Sequence, residues 1–363
     1  MLRSRLEPKQ TLRGVEPVFA PLPGAPFGVA VSADGLHAFV SLPGRDGSEI
    51  AALAGGTQWR LVRSVPLARP AMPRGLVRDH AGRYLLVAAA SELLVIDMQA
   101  MLTGEQDPIA SRVPTVGGES VQVVLTADDR FAFVTDEGSA TLSMFDFAES
   151  LATATPAATL VGQVSVPPGP VGCALSADGR HVFVTSQMSE GGRRPGVLSV
   201  IGVAELLRDP EGGVVARAPA GECPVRVAVS PSGEAVWVTD RGGDSLLAFA
   251  TDVLVSGNAD GPQSIVRVGR APVGLALVRG GSLVVVANSN RYQGGDRPQT
   301  LSVVDAGAAL AGEKNALLGT IPAGVFPREV AVLPDDETVL VTNFASKNLE
   351  TVSLAPVLSN ASP

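Results

Sequence analysis

The sequence predicts an all-β fold, a seven-bladed β-propeller with four antiparallel strands in each blade. Seven stretches of the chain, whose starts lie 47 to 55 residues apart, align over fifteen columns without a gap. They are GVAVSADGLHAFVSL (28–42), GLVRDHAGRYLLVAA (75–89), QVVLTADDRFAFVTD (122–136), GCALSADGRHVFVTS (172–186), RVAVSPSGEAVWVTD (226–240), GLALVRGGSLVVVAN (274–288) and EVAVLPDDETVLVTN (329–343). Each reads as an apolar strand, a polar turn and a second apolar strand. Repeats of this length built from short strands are typical of radial arrays.

The composition agrees with this interpretation. The chain has 363 residues, with 40 glycines, 28 prolines and only 18% charged residues. Such a composition suits many short strands that are joined by tight turns. Length alone would allow two domains, but the unbroken repeat favours one propeller domain over residues 1–363.

Each predicted blade follows the same order of strands. The first strand is almost wholly apolar, as in 29–31, because strands covered on both faces lose the alternation of polar and apolar residues. A tight turn such as 33–35 follows, and the second strand carries a large apolar residue. Third strands are predicted at 141–146, 197–201 and 300–305, and fourth strands at 164–168 and 266–269.

The seventh unit indicates how the ring closes. Only nine residues follow its third strand at 349–354. The segment at about 15–20 precedes the first unit and resembles a fourth strand without a partner. We expect this N-terminal strand to complete the last blade, because such an exchange removes the open seam of the ring.

The repeat resembles the YVTN-type repeat, whose consensus is roughly P-x-G-V-A-V-S-P-D-G-K-x-V-Y-V-T-N followed by T-V-S-V-I-D. The matching residues are Pro26, Gly28, Asp34, Gly35, Pro224, Ser230, Pro231, Gly233, Val341, Thr342 and Asn343. The resemblance covers nearly the whole chain and implies a propeller of the YVTN and lactonase-like group. For function it implies a choice, since that group includes surface proteins, binding proteins, cofactor-carrying enzymes and lactonases.

Charge and composition exclude some partners. The net charge of −8 argues against nucleic acid, because phosphate binding needs a basic surface. No run of about 18 apolar residues predicts a membrane span. The N-terminus lacks an apolar signal segment, so the chain as it stands indicates the cytoplasm; the periplasm or secretion would follow if a signal peptide had been removed. We expect a monomer, with Cys173 and Cys223 as separate thiols unless they pair between neighbouring blades.

The histidines disfavour several kinds of catalysis. His37 and His181 share one column after the turn glycine, and His80 lies in a turn. All three are therefore expected on the face opposite the usual ligand face. A Ser-His-Asp or Cys-His site needs its base beside the nucleophile, and haem or copper needs a histidine ligand, so we expect neither, and no cofactor.

The last residues of the second strands are candidates for a metal site. This column reads Leu42, Ala89, Asp136, Ser186, Asp240, Asn288 and Asn343. Lactonases of a related propeller type bind calcium through such oxygen ligands. The alternative, which the asparagine of the repeat consensus favours, is that these side chains cap their own turns. We therefore expect no metal.

The segment that leads into each inner strand departs from the repeat at its Pro-x-Gly sequence. Long polar residues stand there, namely Arg74, Gln122, Arg226, Arg328 and Glu329, with Glu119 and Glu222 just upstream. These positions are expected to surround the mouth of the central channel. Arginine binds carboxylates and other anions through paired hydrogen bonds, which predicts an anion site. The alternatives are a solvated rim of charges, or Arg–Glu pairs that simply close the channel.

Two long insertions between second and third strands, 187–196 and 289–299, strengthen this prediction. Both contain Gly-Gly-x-Arg-Pro, and both are expected on the same face as the arginines. Long loops in a compact repeat are often binding elements, so we expect Arg194 and Arg297 to point toward related polar partners. The alternative is that both are plain surface loops.

These observations favour a propeller that binds a small anionic molecule or a protein partner at the channel mouth. The alternative is a lactonase- or cycloisomerase-like enzyme, in which arginines hold a carboxylate or lactone. Glu222 and Glu329 are then the best candidates for proton transfer, with Glu119 as a third, since burial can raise the pKa of a carboxylate into the working range.

Overall fold

The computed structural model describes residues 10–55, 58–68, 71–104, 107–147, 158–189, 194–291 and 299–359. These residues form seven antiparallel sheets of four strands each, which confirms the predicted seven-bladed propeller. Each inner strand contacts the inner strand of the next blade, and that of the last blade contacts that of the first. The fold therefore places seven inner strands around one central channel.

The strands of blades 1 to 4 follow an N-terminal strand β1 (Val18–Pro21). They are β2 (Val29–Val31), β3 (His37–Leu42), β4 (Ser48–Ala54), β5 (Arg60–Leu67), β6 (Pro73–Arg78), β7 (Tyr84–Ala89), β8 (Glu92–Asp97), β9 (Ile109–Pro114), β10 (Ser120–Leu125), β11 (Phe131–Asp136), β12 (Thr141–Asp146), β13 (Thr159–Ser165), β14 (Pro170–Leu175), β15 (His181–Ser186), β16 (Val197–Gly202) and β17 (Val214–Pro219). Each of these four blades uses four consecutive strands, so the chain runs outward from the channel in each of them.

Blades 5 to 7 continue the same order. Their strands are β18 (Pro224–Val229), β19 (Ala235–Asp240), β20 (Ser245–Ala250), β21 (Ser264–Arg267), β22 (Pro272–Val278), β23 (Leu283–Asn288), β24 (Gln299–Asp305), β25 (Leu317–Ala323), β26 (Pro327–Val332), β27 (Thr338–Asn343) and β28 (Asn348–Ser353). The fourth strands begin and end earlier than predicted at 164–168 and 266–269. One reason is that proline, present at 167 and 168, cannot donate a hydrogen bond to a strand ladder.

Short helices lie between the third and fourth strands of several blades, and one follows the last strand. They are α1 (Met98–Thr103), α2 (Val203–Arg208), α3 (Thr251–Val255), α4 (Ala306–Leu310) and α5 (Ala355–Ser359), with a 3₁₀ turn at Pro210–Gly212. Asp97 and Asp305 start two of these helices by accepting hydrogen bonds from backbone amides three residues on. In the part of the chain that is described, no helix has the length and apolar character of a membrane span.

The ring closes as the sequence predicts. Strand β1 pairs antiparallel with β28, so the N-terminus supplies the fourth strand of blade 7. Ala20 and Leu22 pack into the core between blades 7 and 1, and Val15 packs between blades 6 and 7. The expected strand at about 15–20 is thus shifted slightly, to 18–21.

The core lies between neighbouring sheets. Seven apolar clusters each join the facing surfaces of two adjacent blades, and side chains such as Phe39, Phe133 and Trp237 are buried in them. The repeated glycine of the Pro-x-Gly sequence allows the inner strands to approach. A Cβ on Gly274 would lie 2.3 Å from the carbonyl oxygen of Arg328, so a side chain there would force the blades apart.

A β-bulge recurs at the start of the inner strands and positions the candidate site. In blade 5, Pro224 pairs with Asp240, but the next regular pair is Val227 with Val238. The same shift occurs between Pro327 and the next paired residue of blade 7. The residues inside the bulge are freed from the ladder, which allows their side chains to point into or across the channel mouth.

Candidate functional site

A cavity of about 610 Å³ lies at the end of the channel where the chain enters the inner strands; we call it the mouth pocket. Its lining residues are Phe27, Pro43, Gly44, Arg45, Met72, Arg74, Val121, Glu137, Val171, Gln187, Val225, Arg226, Arg241, Val273, Arg291, Phe326, Arg328 and Phe344. All seven blades contribute, so the site is a property of the closed ring.

The floor of the mouth pocket is an inner ring formed by the middle residue of each Pro-x-Gly sequence. Its members are Phe27, Arg74, Val121, Val171, Val225, Val273 and Arg328. The five apolar members form one buried cluster. The two arginines stand on either side of Phe27, in blades 7 and 2. The floor is therefore apolar across blades 3 to 6, and blades 7 and 2 add one cation on each side of the Phe27 ring of blade 1.

The wall of the pocket contains an outer ring, formed by the residue that follows each second strand. Pro43, Glu137, Gln187, Arg241 and Phe344 occupy this position in five blades and line the cavity. The polar members of this ring are linked by hydrogen bonds. Gln187 donates to Glu137 at 3.2 Å and accepts from Arg241, while Arg74 contacts the second oxygen of Glu137 at 3.3 Å.

Arg226 and Glu329 form an ion pair across blades 5 and 7. The Nε and Nη2 atoms of Arg226 donate to Oε2 of Glu329 at 2.9 and 2.8 Å, and Nε also contacts Oε1 at 3.3 Å. The Nη1 atom donates to the carbonyl of Val171. The Arg226 side chain is 5% exposed and that of Glu329 is 12% exposed. Both groups are thus held by each other inside the channel mouth, as in the pairing that the sequence left open.

Arg328 has a different environment. Its guanidinium carbon lies 3.6 Å from the ring centre of Phe27, 5.5 Å from that of Phe326 and 5.8 Å from that of Phe344. These distances are in the range of cation–π contacts. Its Nε atom is buried and has no hydrogen-bond partner among the described residues. The adjacent carboxylate, on Glu329, is bonded to Arg226 instead.

Burial, together with repulsion from Arg226, Arg291 and Arg74, lowers the pKa of Arg328 to about 9, against the attraction of Glu329, which raises it. A cation in this position is destabilised by lost hydration and by like charges. A bound anion would supply the missing opposite charge.

The charge of the mouth pocket contrasts with that of the whole chain. Six arginines line it, and Glu137 is the single carboxylate among the described lining residues. Even with Glu329 included, arginines outnumber carboxylates six to two, although the chain as a whole carries −8. The described surface of the pocket is therefore locally cationic.

The remaining predicted site residues lie around the pocket rather than in it. Gln122 belongs to the glycine column of the repeat; its side chain packs over Gly75, and its Oε1 atom is buried without a hydrogen-bond partner in the described structure. Arg194 lies 4.0 Å from Glu222, and their side chains are 57% and 62% exposed. Arg297 lies outside the described residues.

The two insertions are described only in part, up to residues 189 and 291 and again from 194 and 299. The described start of each reaches the mouth pocket, through Gln187 in blade 4 and Arg291 in blade 6. The prediction that Arg194 and Arg297 have related partners stays a prediction.

The aspartates that end the second strands of blades 3 and 5 form hydrogen bonds within their own blades. Asp240 accepts from the amide of Cys223 at 2.8 Å, and Asp136 accepts from the hydroxyl groups of Ser120 and Ser143 at 2.6 and 2.7 Å. Burial raises the pKa of Asp136 despite these hydrogen bonds. Within the described ranges, no group of three or more His, Cys, Asp or Glu side chains is arranged to hold a metal ion.

The opposite end of the channel is mainly apolar, in contrast to the mouth pocket. A cavity of about 570 Å³ there is lined mainly by inner-strand residues such as Val31, Val229 and Val332. His80 lies at its rim and contacts Asp129 at 2.6 Å. Cys173 also lines this cavity, and burial raises the pKa of its thiol to about 12. Cys173 and Cys223 are both free thiols.

Comparisons with known proteins support the fold. No family model matches the chain, and no curated protein matches its sequence. Among solved structures, a chain of the hydrazine synthase of Kuenenia stuttgartiensis superposes with a TM-score of 0.71 over 95% of this chain and 99% of that chain. The two share 17% identity. At this identity the likeness shows the propeller fold alone.

Sequence reasoning missed several residues of the mouth pocket. Arg45, Glu137, Gln187, Arg241 and Arg291 line the cavity, but none of them was predicted as a site residue; Gln187 and Arg291 lie within the two predicted binding insertions. For Glu137, Gln187 and Arg241 the signal is the position directly after each second strand, which is adjacent in sequence to the column of candidate metal ligands. Because blades converge on the channel at both positions, reading the two columns together would have found most of the wall.

Proposed function

We propose that the protein binds a small organic anion in the mouth pocket. The observation that carries this proposal is Arg328, a guanidinium group stacked on Phe27 whose Nε has no hydrogen-bond partner among the described residues, although three other arginines repel it. A carboxylate, sulfate or phosphate group would accept hydrogen bonds from it and offset the repulsion.

The floor of the pocket indicates that the ligand also has an apolar part. The valines of the inner ring, at positions 121, 171, 225 and 273, line the pocket beside Arg74 and Arg328. A ligand with an anionic group and an apolar body would cover both surfaces. Its body would remove apolar area from water, which contributes about 25 cal/mol per Å².

The alternative is a lactonase- or cycloisomerase-like enzyme that uses the same arginines. Such chemistry needs a carboxylate that can exchange a proton beside the ligand. Glu329 is engaged by Arg226, and Glu222 is largely exposed and outside the lining. Glu137 is the carboxylate that does line the cavity, and it is held by Arg74 and Gln187. The geometry therefore favours binding over catalysis.

The experiment compares the wild type with Arg328→Val and Arg74→Val, using calorimetry with sulfate, acetate and hexanoate at constant ionic strength. Valine is the residue of four other blades at this position, so the backbone accepts it. Loss of a hydrogen bond to a charged group costs about 1.5–3 kcal/mol, so each variant should bind about tenfold to a hundredfold more weakly. Hexanoate should bind more tightly than acetate.

Arg180→Gln is the matched control. It removes one positive charge from a side chain that is 80% exposed in the turn of blade 4, and it should bind like the wild type. Equal affinity in the wild type and in Arg328→Val would refute the proposed site, as would the failure of all three anions to bind. Hydrolysis of simple lactones by the wild type would instead favour the enzyme alternative.

A further inference from the structure

Glu350 lies in the third strand of blade 7, at a position that is serine in three other blades. By pairing with the second strand, the equivalent residues are Ser143 in blade 3, Ser199 in blade 4 and Ser302 in blade 6, and blades 1, 2 and 5 have Ala51, Leu94 and Leu247. The Glu350 residue is fully buried, at 0% exposure. A buried carboxyl group is costly at a position that holds a hydroxyl group or an apolar side chain in the other blades, and the fold does not require it.

The hydrogen bonds of Glu350 tie it to the mouth pocket. Its Oε2 atom accepts from Nδ2 of Asn343 at 2.7 Å and from the backbone amide of Gly324 at 3.1 Å. Its Oε1 atom has no partner within the described structure. Gly324 is required here, because a Cβ atom would lie 2.4 Å from Nδ2 of Asn343.

Gly324 begins a three-residue connection in which side chains bind every backbone amide. The amide of Val325 donates to Oγ of Ser346 at 3.0 Å, and the amide of Phe326 donates to Oε1 of Gln299 at 2.9 Å. With Glu350, these side chains form what we call the 324–326 clamp. Phe326 has a φ of 59°, which is strained for an aromatic residue and persists only where surrounding contacts hold it.

The clamp leads directly into the site. Phe326 and Arg328 both line the mouth pocket, and Phe326 is one of the rings around the Arg328 guanidinium. A change in the hydrogen bond between Glu350 and Gly324 therefore acts on the segment that presents this arginine.

We infer that Glu350 is a positioning residue for the mouth pocket, and that its ionisation loosens the 324–326 clamp and weakens anion binding. This inference rests on the proposed function for its binding part. The physical reason is that an ionised carboxyl group with one oxygen unpaired is costly when buried, and water can reach it only if the clamp opens.

The relevant pH range follows from the surroundings of Glu350. Burial raises the pKa of its carboxyl group from 4.5 to about 7, against the hydrogen bonds from Asn343 and Gly324, which lower it. Its neighbours on the clamp and on β27 are neutral, and no charged group contributes to the shift. If the opened clamp restores the ordinary pKa, opening becomes about tenfold more favourable between pH 6 and pH 8.

Hydrogen exchange tests the clamp without any ligand. Exchange of the amides at 324–326 is compared between the wild type and Glu350→Gln at pH 6 and at pH 8, so that the intrinsic pH effect cancels at each pH. Glutamine retains an acceptor for Gly324 and cannot ionise. The ratio of wild-type to variant rates should rise about tenfold from pH 6 to pH 8. Glu350→Ser, which copies blade 6, provides a second non-ionising variant.

Blade 6 supplies the internal control. Oγ of Ser302 accepts from the amide of Gly269 at 3.3 Å and from Nδ2 of Asn288 at 3.0 Å, which is the arrangement of Glu350 with a neutral acceptor. Exchange at 269–271 should show no change in the same ratio.

Calorimetry with sulfate, which keeps its charge over this range, tests the link to binding. The affinity of the wild type should fall up to about tenfold from pH 6 to pH 8, and that of Glu350→Gln should stay constant. A flat exchange ratio overturns the inference, and so does sulfate affinity with the same pH profile in both proteins. If sulfate binds at neither pH, the proposed function fails, and the exchange ratio still decides whether Glu350 controls the clamp.

Discussion

Blades 6 and 7 have the same backbone at the channel mouth. In each, the proline of the inner strand pairs with the asparagine at the end of the second strand, as Pro272 with Asn288 and Pro327 with Asn343. The same bulge follows in both. The Nδ2 atom of Asn288 donates to Ser302 and that of Asn343 to Glu350, which are equivalent residues of the third strands.

Their side chains differ at four equivalent positions in or behind the mouth pocket. Blade 6 has Val273, Gly274, Ser289 and Ser302 where blade 7 has Arg328, Glu329, Phe344 and Glu350. Blade 6 thus shows that the fold is satisfied by small and neutral residues. The fold therefore does not depend on the charged and aromatic residues of blade 7. Substitution of each by its blade 6 equivalent measures what it contributes to stability or binding.

The largest difference between the blades is the origin of the fourth strand. Blade 6 uses β25 from its own repeat, whereas blade 7 uses β1 from the N-terminus. Deletion of residues 1–22 should destabilise the protein by roughly 5 kcal/mol or more, because Val15 and Leu22 each contribute about 1.5–3 kcal/mol of burial and the edge of β28 is exposed. Chemical denaturation measures this change.

A pair of point variants in β1 gives the matched control. Ala20 is 6% exposed and Phe19 is 47% exposed in the same strand. Ala20→Asp should destabilise strongly and Phe19→Asp weakly. An unchanged unfolding midpoint after the deletion would contradict the contribution of β1 to the ring.

Glu329 tests the next difference, since blade 6 has glycine at this position. Glu329→Gly leaves the guanidinium of Arg226 buried and unpaired, which should cost about 3–5 kcal/mol of unfolding free energy. The double variant Arg226→Gly, Glu329→Gly restores the repeat residue in both blades and should be more stable than the single variant. Equal stability of Glu329→Gly and the wild type would show that the pair contributes little.

The repeat made most of the fold predictable. The pattern of an apolar strand, a polar turn such as that at Asp34 and Gly35, and a second apolar strand recurs seven times, so each blade supports the assignment of the others. The closure by β1 followed from counting strands. The limits of the fourth strands were less predictable, because these outer strands are half exposed and carry a weaker apolar pattern.

The candidate site was predictable only as a set of departures from the repeat. The sequence identified Arg226 and Arg328 together, but not their different roles. Those roles depend on contacts between residues that are far apart in sequence. Glu329 binds Arg226, which lies 103 residues earlier, and Arg328 near the C-terminus packs on Phe27 near the N-terminus. The sequence analysis did not identify Glu350, because the complete burial that makes its carboxyl group costly is visible only in the structure. Ser302 is equally buried and bonds the equivalent amide of Gly269, but its hydroxyl group does not ionise.

The smallest expected effect concerns the stability of the whole protein against pH. The pKa of Glu350 is raised from 4.5 to about 7 in the folded state, so its protonation stabilises the fold fully below pH 4.5, and this contribution is lost as the pH rises through 7. One pKa unit corresponds to about 1.4 kcal/mol, which sets an upper limit of about 3 kcal/mol between pH 4 and pH 8. The unfolding free energy of the wild type should therefore fall over this range relative to Glu350→Gln. Ser302→Ala in blade 6 should produce no such difference in slope, because no ionisable group occupies that position. If the unfolding free energies of the wild type and Glu350→Gln changed with pH in parallel, ionisation of the Glu350 carboxyl group would make no contribution to stability, as is expected of the hydroxyl group in blade 6.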